Sequence, residues 1–329
     1  MAKIRGPLSA LAVATTGACA ATLLMRAIPV KSFGALSVVA FSPYIAAVSA
    51  AGVAMAALSR RRALSAIALI VAAVSIGVQI CWYHHGSPGV PGTTATIRVL
   101  SANIRNGEAD PTSFVRYAEQ NAEVVVVVEL TPAAVDGFTS AGIERTFPYS
   151  HLIPAPLAGG IGMWSRFPLT ALPGPPHPSA TAPAALLAIP GVRGDTVLVG
   201  VHVKSPLADG HDTVDEWRSG IEYVKNRLAT MATTAADGAV VVAGDFNATP
   251  DVRQYRDLST AGYRDAVDQL GAGFAPTFPA DRWYPPLLTI DHVLVRNSAA
   301  TSIKTVRVAG SDHRGLLATI AIPADGNSR

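Results

Sequence analysis

Apolar residues along this chain follow two different rhythms, and the change falls near residue 84. Before it, three stretches, 8–25, 33–58 and 63–82, contain no acidic or basic residue. Each reaches the roughly 17–25 residues that a helix needs to cross about 30 Å of hydrocarbon. They are rich in Ala, Gly and Ser, which lets helices approach closely in lipid. A cleaved signal peptide would account only for the first stretch, and no small-x-small cleavage site follows it. The pattern predicts three transmembrane helices that anchor the chain to a lipid bilayer over residues 1–83.

Residues 84–95 are dominated by Gly, Pro, Ser, Thr and His and read as a linker. From residue 96 onward short β-rich runs alternate with helical stretches. Strands are predicted over 97–103, 124–129, 161–165, 196–203, 240–245, 290–295, 303–308 and 316–320, and helices over 112–120 and 212–231. The five consecutive valines at 124–128 have no polar face, as expected of a strand buried on both sides beneath helices. This second region is read as one catalytic domain over 96–323, followed by a tail at 324–329.

Charge sharpens the division. No Asp or Glu occurs before Glu108, whereas seven of the 26 Lys and Arg lie before residue 63. The remainder therefore carries 19 cations against 23 anions, a net charge of −4, so the overall +3 belongs to the anchor. A domain of that balance lacks the general basic character of a duplex-binding protein. Cations also set orientation. Lys3 and Arg5, with Arg60, Arg61 and Arg62, place the amino terminus and the second connection in the cytoplasm, against a weaker pair at Arg26 and Lys31. Three crossings then put the domain outside, which predicts a multi-pass plasma-membrane protein with an extracytoplasmic catalytic part. Cys19 and Cys81 both lie in apolar runs, so the domain has neither a disulfide framework nor a cysteine zinc site.

Polar residues recur at the ends of the predicted strands. Asn103 closes the first, Glu129 ends the valine run, and His202 ends the run Val-Leu-Val-Gly-Val-His. Asp245 and Asn247 follow Val-Val-Val-Ala-Gly, Asp291 precedes His-Val-Leu-Val, and Asp312-His313 precede the last strand. Singly, such residues are turn formers, helix caps or satisfied core groups. Together they are a candidate site, because a sheet gathers its strand ends at one rim. Carboxylates and amides are hard oxygen ligands for magnesium or manganese, and a His–Asp pair handles protons. Asp245 and Asn247 are two apart and share a face, whereas His292 alternates away from Asp291 and is read as structural.

The segments Leu100-Ser-Ala-Asn103, Val-Val-Val-Glu129, Gly159-Gly-Ile-Gly-Met-Trp-Ser-Arg166, Val-His202, Gly244-Asp-Phe-Asn247, Thr289-Ile-Asp-His292 and Ser311-Asp-His313 follow one another in an order that resembles the endonuclease/exonuclease/phosphatase superfamily. The resemblance spans 97–320. It implies an α/β fold, a four-layer sandwich of two central β-sheets flanked by helices, here preceded by the three transmembrane helices. It also implies a metal-dependent hydrolase of phosphate esters using Mg2+ or Mn2+. Glu129 would be the principal metal ligand, supported by Asn103 and Asp312. Asp245 would orient and deprotonate the attacking water, Asn247 would hold a phosphate oxygen, and His202 would bond the phosphate or leaving group. His313, paired with Asp291, would stabilise the charged transition state or shuttle its proton. Two positions depart from the family pattern: Val128 stands where many members have Gln, and Ala122-Glu123 where Pro-Asp is common.

Two loops are expected to shape specificity: 168–190, with seven prolines and His177, and 276–286, with Phe278, Trp283 and Tyr284. The substrate is expected to be a phosphate ester of a lipid, a metabolite or a nucleic acid, and no protein partner is deducible. An extracytoplasmic nuclease is the alternative within the same chemistry. A catalytically silent, membrane-anchored binding module is the alternative of another class, disfavoured because each core position holds a competent residue. A transport role is disfavoured because no span contains a charge.

Overall fold

The computed structural model describes residues 2–84, 92, 94–192, 194–208 and 210–325. Residues 85–91 and 93 of the expected linker, and 326–329 of the expected tail, lie outside them. The apolar runs form helices α1 (Ala2–Ala27), α2 (Phe33–Ala40), α3 (Ile45–Leu58) and α4 (Arg62–Ile80). Two stretches, Arg5–Ala27 and Arg62–Tyr83, are long and apolar enough to cross a membrane, at 23 and 22 residues. The run 33–58, expected as one spanning helix, is broken: Phe33–Ala40 and Ser42–Leu58 meet at 45°. Pro43 sits at the break, where its ring removes a helical N–H donor and obstructs the preceding turn. Helices α1, α3 and α4 pack through small side chains. Ala12, Ala56 and Ala68 are buried together, and a Cβ on Gly52 would lie 3.4 Å from Thr15 Cγ2.

Helix α2 instead rests on the second region. Val30, Leu36 and Val39 join the buried cluster that holds Trp217, Phe246 and Tyr255. Polar bonds fix this contact. Arg26 Nε meets Asp251 Oδ1 at 2.6 Å, and the Arg256 guanidinium donates to the carbonyls of Arg26 and Asp251. The Gln254 amide both accepts from Val30 N and donates to Val30 O, at 3.1 and 2.7 Å. Tyr44 Oη donates to Leu287 O at 2.8 Å, and Gly273 N donates to Trp82 O at 3.0 Å.

The strands, in chain order, begin with β1 (Thr94–Asn103), β2 (Val124–Val128), β3 (Tyr149–Ile153), β4 (Ile161–Ser165) and β5 (Leu169–Leu172). Then come β6 (Ala180–Thr181), β7 (Ala184–Leu187), β8 (Thr196–Val203), β9 (Leu207–Ala208) and β10 (His211–Asp212). The last are β11 (Val240–Asp245), β12 (Arg264–Asp265), β13 (Asp291–Arg296), β14 (Ala299–Arg307) and β15 (Arg314–Pro323). One sheet runs β14-β15-β1-β2-β4-β3; the other runs β12-β13-β11-β8-β7-β5, with β6 beside β8. Strands β9 and β10 form a separate small pair.

Helices α5 (Pro111–Asn121) and α6 (Pro132–Ala141) cover the first sheet, and α7 (Val214–Ala235) covers the second. The alternation along each strand explains the layers. Val125 and Val127 point to the cluster with Phe114 and Phe138, while Val124 and Val126 point to the other sheet with Leu198 and Val241. On the far sheet Val197, Val199, Val240 and Val242 face Trp217 and Val224 of α7. Two sheets thus pack face to face between helices, and uninterrupted valine runs are what strands with two buried faces require. Helices α5 and α6 start at Asp110 and Thr131, whose side chains accept from Ser113 N and Ala134 N, each followed by Pro at the first turn. Helix α6 and strands β3, β5 and β7 were not predicted; α6 contains Gly137 and Thr139, and the three strands have four or five residues each.

Pairing then sets the rim. Asn103 pairs with Val128 across β1 and β2, so Glu129 emerges beside it. His202, Asp245 and Asp291 occupy one transverse row across β8, β11 and β13. Residues in one row share a face, whereas His292 falls in the next row with Gly244 and faces the other way.

Candidate active site

Strand β1 hands its last side chain to the rim. Asn103 Nδ2 donates to Glu129 Oε1 at 2.9 Å and to Asp245 Oδ2 at 3.0 Å, so one amide ties the two sheets together. Its Oδ1 accepts from Arg105 N at 2.9 Å. Glu129 has φ +63, a strained value for a residue with a side chain. The turn lifts its carboxylate out of the valine strand, and Oε2 accepts from Asn106 N at 2.7 Å.

The second sheet brings the remaining groups. His202 Nδ1 lies 2.8 Å from the Ala158 carbonyl, which fixes the tautomer and leaves Nε2 3.7 Å from Glu129. Asn247, also at positive φ (+48), donates its backbone N–H to Asp245 Oδ1 at 2.8 Å and its side-chain amide to Val203 O at 2.9 Å. Both sheets meet at His313: its Nδ1 is 2.8 Å from Asp291 Oδ2, and its Nε2 is 3.8 Å from Asp245 Oδ2. Ser311 holds the segment by accepting from His313 N and donating to Asn103 O. Phe278 covers the imidazole with ring centroids 4.9 Å apart. Asp312 stays half-buried at the open side, where its carbonyl accepts from Ala280 N.

The structure therefore brings all eight candidates, Asn103, Glu129, His202, Asp245, Asn247, Asp291, Asp312 and His313, to one rim. His292 lies elsewhere: fully buried, it bonds Asp265 Oδ2 at 2.8 Å and the Ala248 carbonyl at 2.9 Å. His177 is also outside, stacked on Tyr223 with centroids 4.6 Å apart. A cavity of about 620 Å³ adjoins it, lined by His151, Gly159, Tyr223 and Arg227 rather than by the clustered acids. Sequence reasoning missed three supports: the backbone N–H groups of Arg105 and Asn106, the Ala158 carbonyl, and Thr277, whose Oγ1 accepts from Asp291 N at 3.3 Å. Only the Asn106-Gly107 turn dipeptide gave a sequence signal for any of them.

Electrostatics test whether a metal belongs here. Burial, reinforced by the charge of Asp291, pushes the Asp245 carboxyl up to about 6. Burial also raises Asp312, and Glu129 adds to the effect. For His313 burial opposes the charged ring, but Asp291, then Asp245 and Asp312, outweigh it and push the imidazole up to about 10. Several carboxylates crowded into a desolvated rim are the donor set that suits a hard divalent cation. Asp245, Asp291 and His313 each offer a ligand atom within 4.8 Å of the others, and form an acidic cluster able to hold a metal. Asp291 Oδ2 is already paired with His313 Nδ1, and each Glu129 oxygen accepts one hydrogen bond, from Asn103 Nδ2 and from Asn106 N. A carboxylate oxygen has a second lone pair, so Glu129 can still offer one to a cation.

A model of the Endonuclease/Exonuclease/phosphatase family matches residues 100–313, most of the second region and every residue of the rim. The chain belongs to the endonuclease/exonuclease/phosphatase family. As a member it is a metal-dependent hydrolase of phosphate esters. Solved structures of similar fold include TDP2 of D. rerio humanized by 14 mutations, 16% identical, with a TM-score of 0.55 over 68% of this chain and 98% of that one. D. rerio TDP2 complexed with single strand DNA product matches at 15% identity and TM-score 0.52, over 69% and 99%. A functionally unknown conserved protein from Enterococcus faecalis V583 matches at 14% and 0.52, over 69% and 100%. At such identities the likeness is one of fold. No curated protein matches the sequence significantly.

Proposed function

We propose that this family member is a membrane-anchored phosphoesterase that uses Mg2+ or Mn2+ and works outside the cytoplasmic membrane. The observation that carries the reading is the meeting at one rim of two hydrogen-bonded groups from both sheets, Asn103 with Glu129 and Asp245, and Asp291 with His313, whose Nε2 lies 3.8 Å from Asp245 Oδ2. Glu129, Asn103 and Asp312 would hold the metal, with the Asn103 amide turned to present its oxygen. A divalent cation there polarises the phosphoryl group and offsets its developing charge.

The chain's own residues supply the rest. Asp245, held near neutrality in its pKa, orients the attacking water and takes its proton. His313, kept in one tautomer by Asp291, faces the phosphoryl group with Nε2 and stabilises its charge. His202, fixed by Ala158, directs Nε2 at the substrate oxygen. Asn247 places its remaining amide hydrogen at the rim to hold a phosphate oxygen.

Anchoring is supported by the helices. The basic residues Arg5, Arg60, Arg61 and Arg62 cluster at the bundle end away from the contact made by Arg26, Tyr44 and Trp82 with the second region. With that basic end in the cytoplasm, three crossings, through α1, α3 and α4 with α2 left against the domain, carry the catalytic domain outside. A reporter active only outside the cytoplasm, fused after Arg329, should be active; activity of a cytoplasm-only reporter would overturn the orientation. A nuclease is the second reading, favoured by the D. rerio TDP2 complex with single strand DNA product. The decisive assay offers the full chain DNA, RNA, phospholipids, sphingomyelin and phosphomonoesters with Mg2+ or with chelator. Metal-dependent hydrolysis of at least one is expected, and inertness toward all of them contradicts the proposal.

A further inference from the structure

One loop joins the catalytic rim to the helical bundle. At its start, Phe278 packs on His313 and Ala280 N bonds the Asp312 carbonyl. Asp281 then pairs with Arg105 at 3.3 Å, the residue whose N–H orients Asn103. At its end, the Leu287 carbonyl accepts the Tyr44 hydroxyl, and the Tyr44 ring meets Phe274 edge-on at 6.0 Å. Between these fixed points Pro286 is buried and Tyr284 partly so, Arg282 pairs with Asp281 at 3.3 Å, and none of them covers Trp283. Trp283 is 95% exposed, with Tyr284 edge-on beside it and Arg282 largely in solvent.

The position of this tryptophan relative to the bundle decides what would cover it. It stands four positions before Leu287, no more than about 14 Å of extended chain. Leu287 itself is bonded to the end of the bundle where Phe41, Tyr44, Trp82 and Tyr83 lie, with Phe41 and Tyr83 exposed. Aromatic residues grouped at one end of apolar helices mark a membrane–water interface. An uncovered indole beside an Arg, tethered within reach of that level, has the chemistry of an interfacial foot: the ring enters the headgroup layer and the guanidinium meets lipid phosphate. A nucleic acid is a poorer occupant, because stacking platforms work with a cationic groove and this domain carries a net charge of −4.

We propose that Trp283 and Arg282 dock on the bilayer that holds the chain's own helices, so that the rim faces the membrane surface and acts on phosphate esters carried by lipid headgroups. This rests on the phosphoesterase and anchoring readings above. The docking loop is pinned to His313 at one end and to the bundle at the other, so it fixes both the height and the facing of the site. Substrates are then restricted to two dimensions.

The test uses the full chain in nanodiscs with Mg2+ and two independent readouts. In the first, nanodiscs of phosphatidylcholine with and without bromine on the acyl chains report tryptophan quenching, with Trp283→Ala for comparison. Both proteins carry Trp82→Phe, because Trp82 stands at the end of a candidate span and would itself be quenched. The expected result is a bromine-quenched component that disappears in Trp283→Ala, since Trp164 and Trp217 are buried inside the domain. In the second, one p-nitrophenyl phosphodiester is supplied either free in solution or attached to dioleoylglycerol in the nanodisc. Trp283→Ala should lower turnover of the tethered ester by about tenfold, the order expected for losing one large apolar side chain's transfer, and leave the free ester within about twofold. Quenching that is identical in wild type and variant, or tethered and free turnover that change together, overturns the inference while leaving phosphoesterase activity intact. A wild type inert on both esters refutes the phosphoesterase reading instead, and the quenching arm still decides where Trp283 lies.

Discussion

Removing either member of the Asp291–His313 pair should cost nearly as much activity as removing both. Asp291 is 2% exposed, its backbone N–H is held by Thr277 Oγ1, and its Oδ2 sits 2.8 Å from His313 Nδ1. The carboxylate therefore has one evident task, to fix and charge the imidazole. His313→Ala removes a positioned group of the kind worth roughly 10²–10⁴ in rate. Asp291→Asn keeps the shape but not the charge, and should lose most of the same factor. The double variant should fall no more than about threefold below His313→Ala, because groups acting as a unit are non-additive. The assay is turnover of a soluble phosphodiester with saturating Mg2+, alongside thermal unfolding to confirm folding. His292→Ala is the control: its partners Asp265 and Ala248 lie on the other face, so it should lose stability, by about 3 kcal/mol for a broken buried pair, with the folded fraction still active. Losses for Asp291→Asn and His313→Ala that multiply in the double variant would refute the pairing. So would a His292→Ala protein that folds normally but is inactive.

The contact between helices and domain gives a second expectation. Asp251 has a fully buried side chain and pairs with Arg26, so Asp251→Ala should destabilise the full chain in detergent by about 3–5 kcal/mol, read as a lowered melting temperature; an unchanged value would mean the contact is dispensable. A third concerns pH. Glu123 accepts from Arg98 N and its guanidinium; burial opposes its charge, but these bonds outweigh it and hold the carboxyl below its ordinary value of 4.5. A depressed pKa gives stability that is present above about that value and is lost as pH falls through the folded one. Glu123→Gln should therefore cost about 1 kcal/mol near pH 7, discounted because Arg98 is 40% exposed, and almost nothing below the folded pKa. A penalty that persists undiminished in acid would rule out the charge as its origin.

The rim was legible because its residues stand at strand ends, where an uninterrupted apolar run stops and a polar side chain begins. Once the two sheets face each other, register alone brings His202, Asp245 and Asp291 into line and turns His292 away. What was not legible came from backbone and from distance. The N–H of Arg105 serves Asn103 and that of Asn106 serves Glu129 whatever their side chains are, and the Ala158 carbonyl that fixes His202 is 44 residues away. The helix break had a sequence signal in Pro43, outweighed by the uninterrupted apolar run. The docking of α2 had none. Its Leu36 and Val39, like Val30 just before it, are as apolar as lipid-facing residues, and composition does not distinguish a helix that meets lipid from one that meets a protein core.

The most direct measurement is a metal titration of the full chain and of Glu129→Gln, followed by calorimetry and by turnover of a soluble phosphodiester. Glu129 stands in a strained turn, with one carboxylate oxygen on Asn103 and the other on the Asn106 N–H. If it is the main ligand, Glu129→Gln should fold normally, bind Mg2+ or Mn2+ more weakly by at least the roughly 10–100-fold seen when only a supporting partner is lost, and lose turnover to a similar or greater degree. Unchanged metal affinity and unchanged turnover in a folded Glu129→Gln protein would contradict the account.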